Sequence, residues 1–192
     1  MGDARDRPTF EGATVDDLVA PRTRVLFVGI NPGLWTAKVN AHFARPGNRF
    51  WPALHRAGVT PWLVDPSQGM RADDLAMLAD IGVSITNLVA AASARADQLT
   101  ASEVRAGAAT LARRVVQFAP SVVAVLGLTT YRRGFARPSA RAGEQPDRLG
   151  GVPTWVLPNP SGLNAHETVE SLAAAYRQAW DAAQPGWQLG QK

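Results

Sequence analysis

Short apolar runs alternate with longer amphipathic stretches along most of this chain. The runs at residues 24–29, 122–126 and 154–157 are rich in Val, Leu and Phe, and that at 83–87 carries Val83 and Ile85 with Ser84, Thr86 and Asn87. Continuous apolarity over so short a span marks parallel strands buried on both faces. Between them, apolar positions recur at helical spacing. Thr100-x-x-Glu103 is a capping box, followed by Val104, Ala108, Leu111, Val115 and Phe118 and a stop at Pro120. Asn164, with Glu167 three residues on, is expected to cap a last helix whose stripe is Val169, Leu172, Tyr176 and Trp180. Asn48 is expected to cap a helix through Phe50, Trp51, Leu54 and His55, and another helix is expected over 71–79. This alternation predicts an α/β fold, a three-layer αβα sandwich with a central four-stranded parallel sheet. It predicts one domain over residues 13–183, with 1–12 and 184–192 as flexible tails.

Two of the strands end alike. The first runs into Gly29-Ile30-Asn31-Pro32-Gly33, the fourth into Pro158-Asn159-Pro160-Ser161-Gly162-Leu163-Asn164. Open parallel sheets bind ligands at the carboxyl ends of their strands, so the two Asn-Pro turns are expected to border one site. An asparagine amide has no useful pKa; it can orient a water but cannot serve as a strong base. The plainer role for Asn in such a turn is to tolerate an unusual backbone conformation.

Composition narrows the chemistry. No apolar run approaches the roughly 20 residues that cross a bilayer, and the first residues lack a signal-like apolar core, so a cytoplasmic protein without membrane contact is expected. There is no Cys, and the three His residues, His42, His55 and His166, have no ligand spacing. That excludes a disulfide, a thiolate zinc site and a thiol nucleophile, and neither metal nor cofactor is expected. Phosphate-binding loops of the Gly-x-Gly-x-x-Gly or Gly-Lys-Ser/Thr kind are absent, which counts against a nucleotide cofactor. Net charge is +4, carried by 18 Arg and only 2 Lys. Either a phosphate-binding surface or genomic base composition accounts for that arginine excess. The stretch 131–150 holds Arg132, Arg133, Arg137, Arg141 and Arg148 against Glu144 and Asp147, and reads as a basic surface loop. Arg113-Arg114 reads as an exposed helix face, and Asp16-Asp17 and Asp73-Asp74 as first turns of helices.

Two further segments complete a pattern: Pro46-Gly47-Asn48-Arg49-Phe50-Trp51 opening the first long helix, and Gly82 to Val89 around the second strand. With the two Asn-Pro motifs, in this order and at these separations, they resemble the mismatch-specific uracil-DNA glycosylases, the group that includes thymine-DNA glycosylase. The resemblance spans about residues 15–180 and implies a uracil-DNA glycosylase-like sheet in the order 2-1-3-4. It implies a monomeric enzyme that hydrolyses the N-glycosidic bond of uracil, or a related pyrimidine, in double-stranded DNA and favours G:U mismatches. Asn31 would then be catalytic, placing the attacking water. Ile30, Gly33, Thr36, Phe43 and Asn159 would line the base pocket, with the base stacked on Phe43 and main-chain N–H groups near Ile30 and Phe43 as donors. Ser161, Gly162, Leu163 and Asn164 would form a wedge filling the hole left by the flipped nucleotide. Arg132, Arg133 and Arg137 are candidates for phosphate contacts. Departures from the family pattern are Trp35 and Thr36, expected to narrow the pocket, and Ala90 and Ala165, where an acidic residue and an arginine are common. Two alternatives stay open, a DNA-binding module without turnover and a small-molecule hydrolase on the same fold.

Overall fold

The computed structural model describes residues 10–183. Five strands, β1 Val25–Gly29, β2 Val83–Asn87, β3 Val122–Leu126, β4 Gly143–Leu149 and β5 Val152–Leu157, form one sheet in the order β2-β1-β3-β5-β4. The first four in that order run parallel, as expected, and β4 is added antiparallel at the edge. Among the described residues there are six α-helices: α1 Leu34–Val39, α2 Phe50–Arg56, α3 Ala72–Ile81, α4 Ala101–Phe118, α5 Leu128–Gly134 and α6 Val169–Ala182.

Strand pleat divides the core in two. Val25 and Phe27 point to one face and pack with α2, α3 and α6; Leu26 and Val28 point to the other and pack with α4 and α5. The expected capping box holds α4: the Thr100 hydroxyl accepts the Glu103 N–H at 3.2 Å, and the Glu103 carboxylate accepts the Thr100 N–H at 2.8 Å. Such a cap contributes about 1 kcal/mol. Register levels the strand ends, Gly29 beside Asn87 and Leu126 beside Leu157, so the loops after β1, β2, β3 and β5 emerge together.

Five local expectations are corrected. The N-cap position of α2 is Arg49 rather than Asn48, because the Asn48 Oδ1 closes a turn one residue earlier by accepting the Phe50 N–H at 2.9 Å. The basic stretch 131–150 is not a loop; it holds the end of α5 and all of β4. Its polar sequence hid the strand, because β4 has one neighbour only and Pro146 is tolerated at an edge. The cap of α6 is Thr168, whose hydroxyl accepts the Ser171 N–H, rather than Asn164. Both positions fit a capping pattern, but the carbonyls of Asn164 and Glu167 are bound by Arg49 and the chain turns there instead of coiling. Asp16-Asp17 opens no helix: Asp17 accepts from the Thr86 hydroxyl at 2.6 Å. Arg114 does not face solvent with Arg113 but reaches in to the Thr86 hydroxyl and the Asn87 carbonyl. Of the expected tails, 1–9 and 184–192 lie outside the described residues, while Gly12 is tied to the body by its N–H on the Ala92 carbonyl at 2.8 Å.

Candidate active site

The loop after β1 is stitched to the segment after β2. Leu88 N–H donates to the Gly29 carbonyl, Val89 N–H to Ile30 and Ser93 N–H to Pro32, at 2.8–3.1 Å. Gly29 permits this approach, since a Cβ there would lie 2.5 Å from the Asn87 Oδ1. Asn31 Nδ2 is surrounded by acceptors: the Ser93 Oγ at 2.8 Å and the carbonyls of Pro32 and Ala91 at 3.1 and 3.4 Å. Carbonyls cannot donate, so the atom facing them is the NH2 group. Ser93 spends its own proton on the Arg95 carbonyl and so must accept from Asn31. The side chain is thereby locked with Oδ1 left as the acceptor at the cleft.

Phe43 supplies an aromatic platform. Its backbone is left-handed (φ 56), a conformation that a bulky residue adopts only when its surroundings enforce it. Its ring stacks on Phe50 with centroids 4.0 Å apart, and Phe50 abuts Phe27 and Trp51 edge-on. Trp51 Nε1–H fixes the turn by donating to the His42 carbonyl at 3.0 Å.

Beneath the platform, buried His42 places Nε2 2.9 Å from the Asp16 carbonyl, which makes Nε2 the protonated nitrogen. Nδ1 is left to accept from Asn87 Nδ2 at 3.4 Å. Burial lowers the His42 pKa, outweighing the Asp16 carbonyl and the Asp17 and Asp16 charges that raise it, so the ring is neutral at physiological pH. His42, Asn87 and Ser93 escaped the sequence reading. Asn87 alone had a local signal, as a polar residue ending a buried strand.

The loop after β5 folds on itself. Asn159 Oδ1 accepts the Ser161 N–H at 3.0 Å, and Asn164 Nδ2 donates back to the Asn159 carbonyl at 3.1 Å. A turn closed by Asn164 N–H on the Ser161 carbonyl lifts Leu163 to its tip, 70% exposed.

Ile30, Asn31, Gly33, Thr36, His42, Phe43, Asn87, Ser93, Asn159, Ser161, Leu163 and Asn164 line one open cleft of about 680 Å³ at the carboxyl edge of the sheet. Every expected pocket residue is therefore brought together, and of the expected wedge only Gly162 stands back from the lining. Thr36 lines the cleft, but Trp35, expected to narrow it as well, does not line it; its Nε1–H donates to the Ser67 carbonyl. Arg132, Arg133 and Arg137 stand away from the cleft. Arg132 donates twice to the Ala140 carbonyl, Arg137 pairs with Asp147, and Arg133 is exposed. The arginines at the cleft mouth are Arg45 and Arg95. Among the described residues, no cluster of three His, Asp or Glu side chains is arranged to hold a metal ion.

The same architecture occurs in the solution NMR structure of a candidate uracil DNA glycosylase from Methanosarcina acetivorans, at a TM-score of 0.57 and 17% identity, covering 88% of this chain and 98% of that one. At that identity the likeness speaks for the fold alone. Residues 17–184, nearly the whole chain, match the profile of the uracil DNA glycosylase superfamily. With the sheet and its carboxyl-edge cleft on the same residues, this chain belongs to the uracil DNA glycosylase superfamily.

Proposed function

We propose that this chain hydrolyses the N-glycosidic bond of uracil, or a related pyrimidine, in double-stranded DNA, with a preference for uracil opposite guanine. The observation that carries the reading is the locked amide of Asn31, whose three acceptor contacts leave Oδ1 to receive a water at the cleft. A base flipped into the cleft lies against the open face of Phe43. Water held by Asn31 attacks C1′ as the bond from C1′ to the base nitrogen breaks, and that bonding pair leaves with the base. Asn31 takes no proton; the attacking water loses its proton to solvent once it is bonded to the sugar. Positive charge developing on the sugar is stabilised by the Asn31 oxygen dipole, and negative charge on the base by donors aimed at its oxygens.

Two donors suit that second task. Asn159 Nδ2 borders the cleft while Oδ1 is consumed within its turn. Asn87 presents its amide from the cleft floor, set by neutral His42. A neutral imidazole matters here, because a buried imidazolium would oppose the cationic sugar. Leu163, apolar and held out in solvent, enters the base stack that the uracil leaves, and mismatched bases cost least to extrude. This chemistry calls for neither metal nor cofactor. The test is incubation with duplexes carrying U:G, U:A or T:G and with single-stranded uracil, in excess chelator, followed by alkaline cleavage of abasic sites. Strand cleavage greatest for U:G is expected; intact strands throughout would reject the reading.

A further inference from the structure

The most heavily committed cation near the cleft touches no expected substrate position. Arg49 stands at the N-cap position of α2 with no side-chain cap there, and lies half-buried under the loop that carries Leu163. Its guanidinium donates to the carbonyls of Ser161, Asn164 (2.7 Å) and Glu167, and its backbone N–H donates to the Pro160 carbonyl at 3.0 Å. One residue thus holds four carbonyls across residues 160–167. Two of them head successive turns, Ser161 accepting from Asn164 N–H and Asn164 from Glu167 N–H. From the same side Gly162 packs so closely on Gly47 that a Cβ would stand 2.8 Å from the Gly47 carbonyl. The partners of Arg49 are neutral carbonyls; among the described residues no carboxylate pairs with it, and its Nε–H is buried without a partner.

A guanidinium spread over turn carbonyls contributes little to the sheet or to either core, but it fixes the shape of the loop. We propose that Arg49 is the positioning residue of the wedge: it binds the Leu163 loop to the loop bearing Phe43, so that wedge and stacking platform are presented as one rigid unit before DNA arrives. The inference rests on the glycosylase reading above. Its physical basis is preorganisation, since a loop already ordered loses no further freedom on entering the stack.

The experiment compares wild type, Arg49→Ala, Arg49→Lys and Gly162→Ala. Two readouts are used: single-turnover excision from a U:G duplex and from single-stranded uracil, and fluorescence of 2-aminopurine placed beside the uracil, which brightens as the stack opens. Arg49→Ala should lower the duplex-to-single-strand rate ratio by at least about tenfold, the scale expected of a displaced positioning group. It should also lose the 2-aminopurine rise. Arg49→Lys, with one ammonium for three side-chain contacts, should fall between it and wild type. Gly162→Ala, which pushes the loop off from the Gly47 side with Arg49 intact, should reproduce the lowered ratio and keeps the test open if Arg49→Ala does not fold. A ratio unchanged in both alanine variants overturns the proposal, whether excision falls on both substrates or on neither. If wild type releases no base at all, the glycosylase reading fails. The wedge claim is then decided by fluorescence alone: a rise with wild type that Arg49→Ala loses supports it, and equal signals overturn it.

Discussion

Asn31 and Asn159 each stand two residues beyond a parallel strand, precede a proline and border the same cleft, yet their amides are used in opposite senses. The NH2 group of Asn31 is anchored to a neighbouring loop 62 residues away, and its oxygen is left for the cleft. The oxygen of Asn159 is anchored within its own turn, on the Ser161 N–H, and its NH2 group is left. Proline confines both asparagines to extended backbone, so the dipeptide cannot be what distinguishes them. What surrounds each amide decides whether it offers an acceptor, suited to a water, or a donor, suited to a departing base.

The sharpest test of that contrast is Asn31→Ala. It should slow single-turnover excision by about 10²–10³-fold, as when one group serving the transition state is removed, while duplex affinity changes little. Cleavage assays beside fluorescence anisotropy measure both, and wild-type-like turnover would dissolve the distinction. On the other loop, Leu163→Ala should cut the U:G-over-single-strand rate ratio by roughly tenfold, since burying a leucine is worth about 1.5–3 kcal/mol. An unchanged ratio would mean that the exposed leucine does not enter the stack.

Ser93→Ala asks whether the amide of Asn31 works through its anchor. One hydrogen bond of about 1 kcal/mol predicts a loss of roughly fivefold in kcat with KM unaltered; a change confined to KM would make Ser93 a binding residue instead. Salt dependence then separates cleft-mouth arginines from those beyond it. Arg45→Ala should flatten the plot of log affinity against log salt by about 0.9, the value of one phosphate contact. Arg132→Ala, which removes a group engaged with the Ala140 carbonyl, should flatten it less. The smallest effect concerns pH. His42 has its pKa lowered below the ordinary 6.5 by burial, so the unfolded chain binds its proton more readily than the folded one. Its contribution to stability is complete above pH 6.5 and is lost progressively below it, as pH falls towards the depressed folded value. Melting temperatures across that window should show less acid sensitivity in His42→Gln than in wild type.

Much of the frame was legible without coordinates. Strands at 83–87 and 122–126 fall where the apolar runs stand, and α4 begins at its Thr100 cap, because burial on both faces and capping are written in neighbouring residues. β4 was not legible, because a polar edge strand containing proline looks like a loop until β5 is there to pair with it. For α6 two capping patterns lay four residues apart, at Asn164 and Thr168, and nothing local chooses between them. Arg49, 115 residues away from Asn164, holds its carbonyl and leaves the helix to start at Thr168.

The site divides along the same line. By itself the sequence determined that Asn31 and Asn159 follow strands and therefore gather at the carboxyl edge with the Leu163 loop, whereas Phe43, between α1 and α2, was reached only through the family resemblance. Turn chemistry and strand direction are properties of adjacent residues. Only the tertiary structure decided that Asn31 turns its oxygen to the cleft, that His42 is neutral beside Asn87, and that Arg49 binds the Leu163 loop. Each of those rests on partners 26 to 118 residues apart in the chain. An amide or imidazole has two chemically different ends, and which end is offered is set by whatever the fold places against the other.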